Sequence, residues 1–214
     1  MIKKIYYLTL PIFLLLLLSS CANTQKIAIL ESLPLPDHKN ISCCWQIQQQ
    51  LSITYDDINI DLQAVIALTK NQKSQPKLTL VLLDPLGRRL LSIDNTLGKI
   101  NVVAAPGGKM ELPAKFLLSS IYLAYWPQEN WHEALANSPW NLIERTAGKR
   151  TLTYQKKSII DILRTPATPS ASNRNISEPK QVPKSVPKIG EHIKIKHYLK
   201  NFKVDIYTLT RQDI

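Results

Sequence analysis

Apolar and polar side chains alternate along the chain from Trp45 onward. Because neighbouring side chains of a strand point to opposite faces, this pattern predicts strands with one buried face and one wet face. Asp56-Asp57 predicts a turn after the first strand, and the alternation resumes from Ile58 to Leu68. The buried face of the first strand is predicted to carry Trp45, Ile47, Gln49, Leu51, Ile53 and Tyr55.

Apolar runs separated by turn residues continue this pattern and predict further strands along the chain. Most of them are neighbours in sequence with short connections, which favours antiparallel pairing. The later strands are predicted at Leu78–Leu83, Leu90–Ile93, Ile100–Ala104, Trp140–Arg145, Arg150–Gln155, Ser158–Leu163, His192–Lys196 and Phe202–Leu209.

Two helices are predicted between the strands. The segment from Pro113 to Tyr125 is apolar almost all round, so it must be covered on more than one side. Pro127 ends this helix, and residues 129–135 are expected to form a second, shorter one. We therefore predict a mainly β fold with inserted helices, in which a one-sided apolar sheet curls over its core.

The turn that follows the third strand has an apolar tip. Pro85 and Gly87 favour a tight turn, which leaves Leu86 near solvent, where turn tips are usually polar. Leu86 either faces outward to contact a partner or folds back onto Leu82 or Leu90 as a local plug.

The first twenty residues have the layout of a secretory signal peptide. Two lysines precede an apolar run from Ile5 to Leu18, which is short for a membrane-spanning helix of about 20 residues. Leu18-Ser19-Ser20-Cys21 resembles the bacterial lipobox, in which the cysteine is lipidated and becomes the first mature residue. The alternative is an uncleaved membrane anchor. With Ala22 after the cysteine, the resemblance implies the periplasmic face of a Gram-negative outer membrane.

The composition divides the chain into three expected parts. Residues 1–20 are the signal peptide, residues 21–42 a lipidated tether, and residues 43–214 the folded domain. Within that domain, residues 165–188 are rich in proline and are expected to form an extended loop.

The chain is strongly basic, with a formal net charge of +11. From Trp140 to the end there are 15 Lys and Arg residues against 6 Asp and Glu, so most of the excess lies in this last third. A basic surface favours anionic partners, and export from the cytoplasm argues against nucleic acid.

Catalytic and metal-binding patterns are missing from the sequence, so we expect no enzyme activity, no cofactor and no metal. His192 and His197 are predicted to point to opposite faces of a strand and cannot hold one metal together. Cys43 and Cys44 are interpreted as two small, half-buried residues, with an intermolecular disulfide as the alternative.

The lipobox, the strands from Trp45, the turn Leu82–Gly87 and the sequence Ala124-Tyr125-Trp126-Pro127 together resemble the uncharacterised LolB-like lipoproteins. Genes of that group often lie beside aryl-polyene or fatty-acid-like synthesis genes. More remotely, the chain is similar to LolB, the outer-membrane receptor that takes lipoproteins from a periplasmic carrier. The resemblance covers residues 45–163 and the final strands. It implies a curved antiparallel half-barrel of LolA/LolB type, with a helical lid over an apolar cavity that holds acyl chains.

The resemblance also implies a membrane contact and a lipid cavity. Leu86 matches the exposed leucine that helps LolB deliver lipoproteins into the membrane, and Arg88 and Arg89 would meet lipid phosphates. The alternative for both arginines is that of plain solvated charges. The predicted cavity residues, each of which could also be ordinary core, are Trp45, Ile47, Leu51, Ile53, Ile60, Leu62, Leu80, Leu82, Leu118, Ile121, Tyr122, Tyr125 and Trp126.

Two functions are expected from these features. In the first, a monomer anchored by covalent lipid binds an acyl-chain cargo and helps deliver a lipid, lipoprotein or polyene-lipid to the outer membrane, with a periplasmic lipoprotein carrier as a further partner. In the second, a structural envelope lipoprotein binds an acidic glycan or a partner protein through its basic C-terminal third.

Overall fold

The computed structural model describes residues 28–38, 41–55, 58–106, 114–146, 148–165, 187–199 and 201–214. The described residues fall into two units, which divide between Leu33 and Pro34. In the first unit, residues 28–31 are helical. The signal peptide, the lipidation residue Cys21, the predicted turn Asp56-Asp57 and the Pro-rich segment 166–186 lie outside the described residues.

The second unit is mainly β. The order of its strands across the sheet is β5-β4-β3-β2-β1-β10-β9-β8-β7-β6, and all neighbours are antiparallel. The ten described strands are β1 (Trp45–Tyr55), β2 (Ile58–Lys70), β3 (Pro76–Leu83), β4 (Arg89–Thr96), β5 (Lys99–Ala104), β6 (Trp140–Thr146), β7 (Lys149–Tyr154), β8 (Lys157–Thr165), β9 (His192–His197) and β10 (Phe202–Asp213).

The alternation in the sequence sets the register at the centre of the sheet. On β1 and β2, Ile47 lies opposite Ile66 and Leu51 opposite Leu62, so the apolar positions of both strands share one face. β1 has its predicted bounds, whereas β10 continues four residues beyond the predicted Leu209. This extension is polar but pairs with the start of β1, because ladder hydrogen bonds need no apolar side chain.

The sheet is an open half-barrel that curves around the first long helix. Helix α1 (Ala114–Tyr125) contacts both β5 and β8, between which six other strands lie in the sheet. In a flat sheet those two strands would be about 34 Å apart, whereas a helix is about 10 Å wide. The sheet therefore wraps around α1, as predicted, while β5 and β6 remain its two separate edges.

Helix α1 is buried on several sides, as its nearly all-apolar surface predicts. It ends at Tyr125, and Pro127 leads directly into helix α2 (Gln128–Leu135), which buries Trp131 and Leu135. Both helices lie within one residue of their predicted bounds.

Two expectations about the N-terminal side of the domain need correction. Pro34 to His38 were assigned to the tether, but they belong to the same compact unit as the sheet, and His38 is buried. Cys43 and Cys44 were interpreted as two small, half-buried residues, with an intermolecular disulfide as the alternative, but the structure joins them to each other in a disulfide.

Candidate functional site

An apolar cavity of about 50 Å³ lies between α1 and the concave face of the sheet. Strands β1, β2, β3, β9 and β10 form its floor, and α1 forms its roof. Nearly all of its lining side chains are aliphatic or aromatic. The volume has room for a few water-sized groups but not for a whole acyl chain, so the hollow is largely filled in this conformation.

The predicted cavity residues fall into three groups. Six line the cavity: Leu51, Ile53, Leu80, Leu82, Ile121 and Tyr125. Six others are buried in the core beside it and do not line it: Trp45, Ile47, Leu62, Leu118, Tyr122 and Trp126. For these six the alternative of ordinary core is the better description.

Ile60 is the one predicted cavity residue that lies in neither group. Its side chain is 45% exposed, because it lies near the start of β2, where no described element covers it. The prediction that Ile60 lines the cavity is therefore wrong.

The last two strands supply cavity residues that were not predicted. Ile193 and Ile195 of β9 and Phe202, Val204 and Ile206 of β10 all line the cavity. They alternate with polar residues, so the period of two predicts that they share the buried face of their strands. Their place in the floor depends on the pairing of β10 with β1, a long-range contact that periodicity does not specify.

One polar cluster lies in the cavity wall, centred on Gln49. The Nε2 group of Gln49 donates to the hydroxyl oxygens of Tyr125, at 2.5 Å, and Thr208, at 3.1 Å. Burial raises the pKa of Tyr125, so its hydroxyl stays neutral. These bonds satisfy a glutamine on an otherwise apolar face and attach α1 to β1 and β10.

Two arginines bind the C-terminal carbonyl groups of α1. The Nη1 group of Arg150 donates to the carbonyl oxygens of Leu123, at 2.9 Å, and Trp126, at 2.7 Å. Arg164 donates to the Ala124 carbonyl at 3.4 Å. The last carbonyls of a helix have no partner within it and carry partial negative charge, so a guanidinium is well suited to this position.

Each of these arginines has a carboxylate partner. Arg150 lies 3.3 Å from Glu144, and Arg164 is paired with Glu191. Burial lowers the pKa of Arg150, whereas Glu144 raises it. The two ion pairs compensate for the partial burial of both guanidinium groups.

A second polar cluster holds α1 to the segment that precedes the sheet. The Tyr122 hydroxyl accepts a bond from Asn95 at 2.6 Å and lies 3.0 Å from Nε2 of His38. The indole N–H of Trp126 donates to the Asp37 carbonyl at 2.8 Å. Burial lowers the pKa of His38, which favours the neutral imidazole. The segment Ala124-Tyr125-Trp126-Pro127 thus lies against the core rather than away from it.

The other end of α1 contacts the sheet through an aromatic cluster. The rings of Phe116 and Phe202 pack edge to face, with their centroids 4.7 Å apart. The rings of Phe116 and His197 pack in the same way, with their centroids 4.6 Å apart. Phe116 and Phe202 also line the cavity, so this cluster closes the cavity near the start of the helix.

Leu86 stands at the tip of a hydrogen-bonded turn between β3 and β4. The Asp84 carboxylate accepts hydrogen bonds from the backbone N–H groups of Leu86 and Arg88, both at 2.9 Å. Gly87 has a φ of +80°, which a glycine adopts without strain. The backbone bond from Arg88 lowers the pKa of Asp84, so the carboxylate stays ionised and the turn is held by charge-assisted bonds.

Leu86 is 80% exposed, so it does not fold back onto Leu82 or Leu90. The interpretation of Leu86 as a local plug is wrong. Arg88 and Arg89 are both exposed beside it, and Arg88 Nε also binds Asp84 at 2.6 Å. The turn therefore presents one leucine and two cations to solvent.

The described residues also bear on a metal site and on a membrane-spanning helix. In that part of the chain, no group of three or more His, Cys, Asp or Glu side chains could hold a metal ion. None of the helices described is long and apolar enough to cross a membrane.

The fold and the site together define an open antiparallel half-barrel whose helical roof covers a small apolar cavity. The chain belongs to the family described as protein of unknown function, DUF3261, whose model matches residues 46–210. The match covers the whole sheet except the first residue of β1 and the last three residues of β10, together with both helices that follow β5. No curated protein matches the chain.

Proposed function

We propose that this protein is a lipoprotein, anchored at the periplasmic face of the outer membrane through Cys21, that binds acyl chains and helps deliver a lipid, lipoprotein or polyene-lipid to that membrane. The observation that carries the proposal is the apolar cavity between the sheet and α1. The chemistry is partitioning rather than catalysis, because each CH₂ group moved out of water gains about 0.8 kcal/mol.

Uptake of a whole acyl chain requires α1 to move away from the floor of the cavity. The cavity is too small for such a chain while α1 lies in its present position. The Phe116 end rests on the sheet through ring contacts, and these can be replaced by contacts with an acyl chain at little cost.

The Leu86 turn supports a contact with the membrane. An exposed leucine held at a fixed position can enter the acyl region of a bilayer, which is worth about 1.5–3 kcal/mol. The cations Arg88 and Arg89 are placed to meet lipid phosphates at the same time. This energy is too small for an anchor, but it orients a domain that Cys21 already tethers.

A cavity-filling substitution tests acyl-chain binding. Ala64 lines the cavity and is 1% exposed, so Ala64→Leu adds three carbon atoms inside it. We expect this variant to bind a fluorescent fatty acid such as cis-parinaric acid about tenfold more weakly, because the added carbons occupy the space of the ligand.

Ala67→Leu is the matched control, because Ala67 lies on the same strand and points to the outer face. It should leave the affinity unchanged, and circular dichroism should show that both variants are folded. Equal affinities of all three proteins, or no binding of the fatty acid to any of them, would contradict the proposal.

A second candidate function is supported by the outer face of β9 and β10. Lys196 and Lys203 lie directly opposite each other there, and both are exposed. Like charges in that position repel each other, and an anionic glycan would relieve the repulsion. Salt-sensitive binding to lipopolysaccharide that Leu86→Glu leaves unchanged would favour this function over acyl-chain transfer.

A further inference from the structure

The concave face of β1 and β2 is not covered along its whole length. Along β1 the inward-facing side chain of Ile53 is 8% exposed, and along β2 that of Leu62 is 7% exposed. Beyond these two residues the exposure rises abruptly, to 44% at Tyr55, 59% at Ile58 and 45% at Ile60. We call Tyr55, Ile58 and Ile60 the β1–β2 strip.

The strip lies on the same face as the cavity and is continuous with it. Ile53, which lines the cavity, is the direct cross-strand neighbour of Ile60, and Tyr55 is the neighbour of Ile58. Side chains two residues apart on a strand point to the same face, so the apolar floor continues from the cavity onto the strip without a break.

The strip also borders the aromatic cluster at the start of α1. Tyr55 pairs with Phe202 on the neighbouring strand, and Phe202 lies against Phe116 of the helix. The exposed apolar surface therefore begins where the ring contacts close the cavity. Separation of the Phe116 ring from the Phe202 ring would join the strip to the cavity.

The size of the cavity favours an extended apolar occupant. About 50 Å³ accommodates only part of an acyl chain, so the rest of the chain needs a further apolar surface. The two rows of the strip lengthen the apolar floor by about 7 Å along the strands. A bilayer is a poor occupant here, because Asp56 and Asp57 separate Tyr55 from Ile58 in the sequence.

We propose that the β1–β2 strip is the entrance subsite at which a fatty acyl chain first binds before it passes under Phe116 into the cavity. This inference rests on the proposed function, since it assigns the route to the same cavity. It gives Ile58 and Ile60 a role in the rate of loading, and it keeps Leu86 as a separate contact with the membrane.

The test is the association rate of cis-parinaric acid with the full-length Cys21→Ser protein, measured by stopped-flow fluorescence. We expect Ile58→Asp to lower the rate constant about tenfold, because the charge removes the apolar contact, and Ile58→Leu to preserve it. Leu97→Asp is the matched control. Leu97 is 57% exposed in the β4–β5 turn, and its positive φ of 49° suits aspartate.

The outcomes separate this inference from the function on which it rests. A lower rate for Ile58→Asp alone supports the entrance subsite. Equal rates for all four proteins would overturn the subsite and leave acyl-chain binding intact. No binding by the Cys21→Ser protein itself would overturn the proposed function and the subsite together.

Discussion

At the scale of single residues, the Leu86 turn exposes an apolar side chain on a backbone that hydrogen bonds hold in place. An exposed leucine gains nothing for folding, yet Asp84 orders the turn around it with three hydrogen bonds. The sequence predicted the turn from Pro85 and Gly87 and left the direction of Leu86 open. The contacts of Asp84 with Leu86 and Arg88 fix the backbone of the turn, and an aspartate at the first position of a turn is the local pattern that favours such bonds.

The Leu86→Glu substitution tests the membrane contact of the turn. We expect the Cys21→Ser protein to lose about tenfold or more in binding to vesicles of phosphatidylethanolamine and phosphatidylglycerol, since a charged side chain cannot enter the acyl region. Co-sedimentation measures the loss. Leu97→Glu changes another leucine, which is 57% exposed in the turn between β4 and β5, and should bind like the parent protein.

Unchanged vesicle binding by Leu86→Glu would show that the turn does not enter the bilayer. An equal loss in Leu97→Glu would show that the effect comes from added negative charge rather than from the turn. Only a loss confined to Leu86→Glu agrees with the proposal.

At the scale of elements, α1 is fixed to the sheet mainly through its last turn. Arg150, Arg164, Gln49 and Asn95 all bind its C-terminal half, whereas Phe116 meets the sheet through ring contacts. We propose that this difference between the two ends allows the cavity to open near Phe116 while the helix stays attached.

Replacement of Arg150 by methionine tests this attachment. The change leaves the carbonyl groups of Leu123 and Trp126 without their donor and Glu144 without its partner, so we expect a loss of about 3 kcal/mol in the free energy of unfolding. Urea denaturation measures it. Arg145→Met, an exposed arginine on the same sheet, should lose less than about 0.5 kcal/mol.

A small loss in Arg150→Met, similar to that in Arg145→Met, would mean that the bonds to the helix carbonyls do not hold α1 in place. The proposal that α1 stays attached at its C-terminal end while the cavity opens near Phe116 would then lose its support.

The same elements show how far the sequence could predict the site. Alternation placed Leu51, Ile53, Leu80 and Leu82 correctly, because a period of two fixes which face a side chain occupies. It could not tell a cavity wall from solid core, so Trp45 and Trp126 were placed in the wall although they are buried against Tyr125 and Tyr122 and do not line the cavity. That distinction depends on how neighbouring elements pack around each side chain, which periodicity does not contain.

At the scale of the whole molecule, the fold class followed from the order of the elements. Short connections predicted antiparallel pairing, and the nearly all-apolar α1 predicted a sheet wrapped around it. The pairing of β10 with β1, which joins two distant parts of the chain, brought Val204 and Ile206 into the floor. Such a contact was outside the reach of local patterns.

In the proposed function, the half-barrel accommodates an acyl chain between its sheet and α1. Native mass spectrometry of the Cys21→Ser protein, purified without detergent and compared with a delipidated sample, tests it most directly. We expect a noncovalent adduct with the mass of a lipid or fatty acid, which disappears on delipidation and is weaker in Ala64→Leu than in Ala67→Leu. A single adduct-free species, which also takes up no added fatty acid, would contradict it.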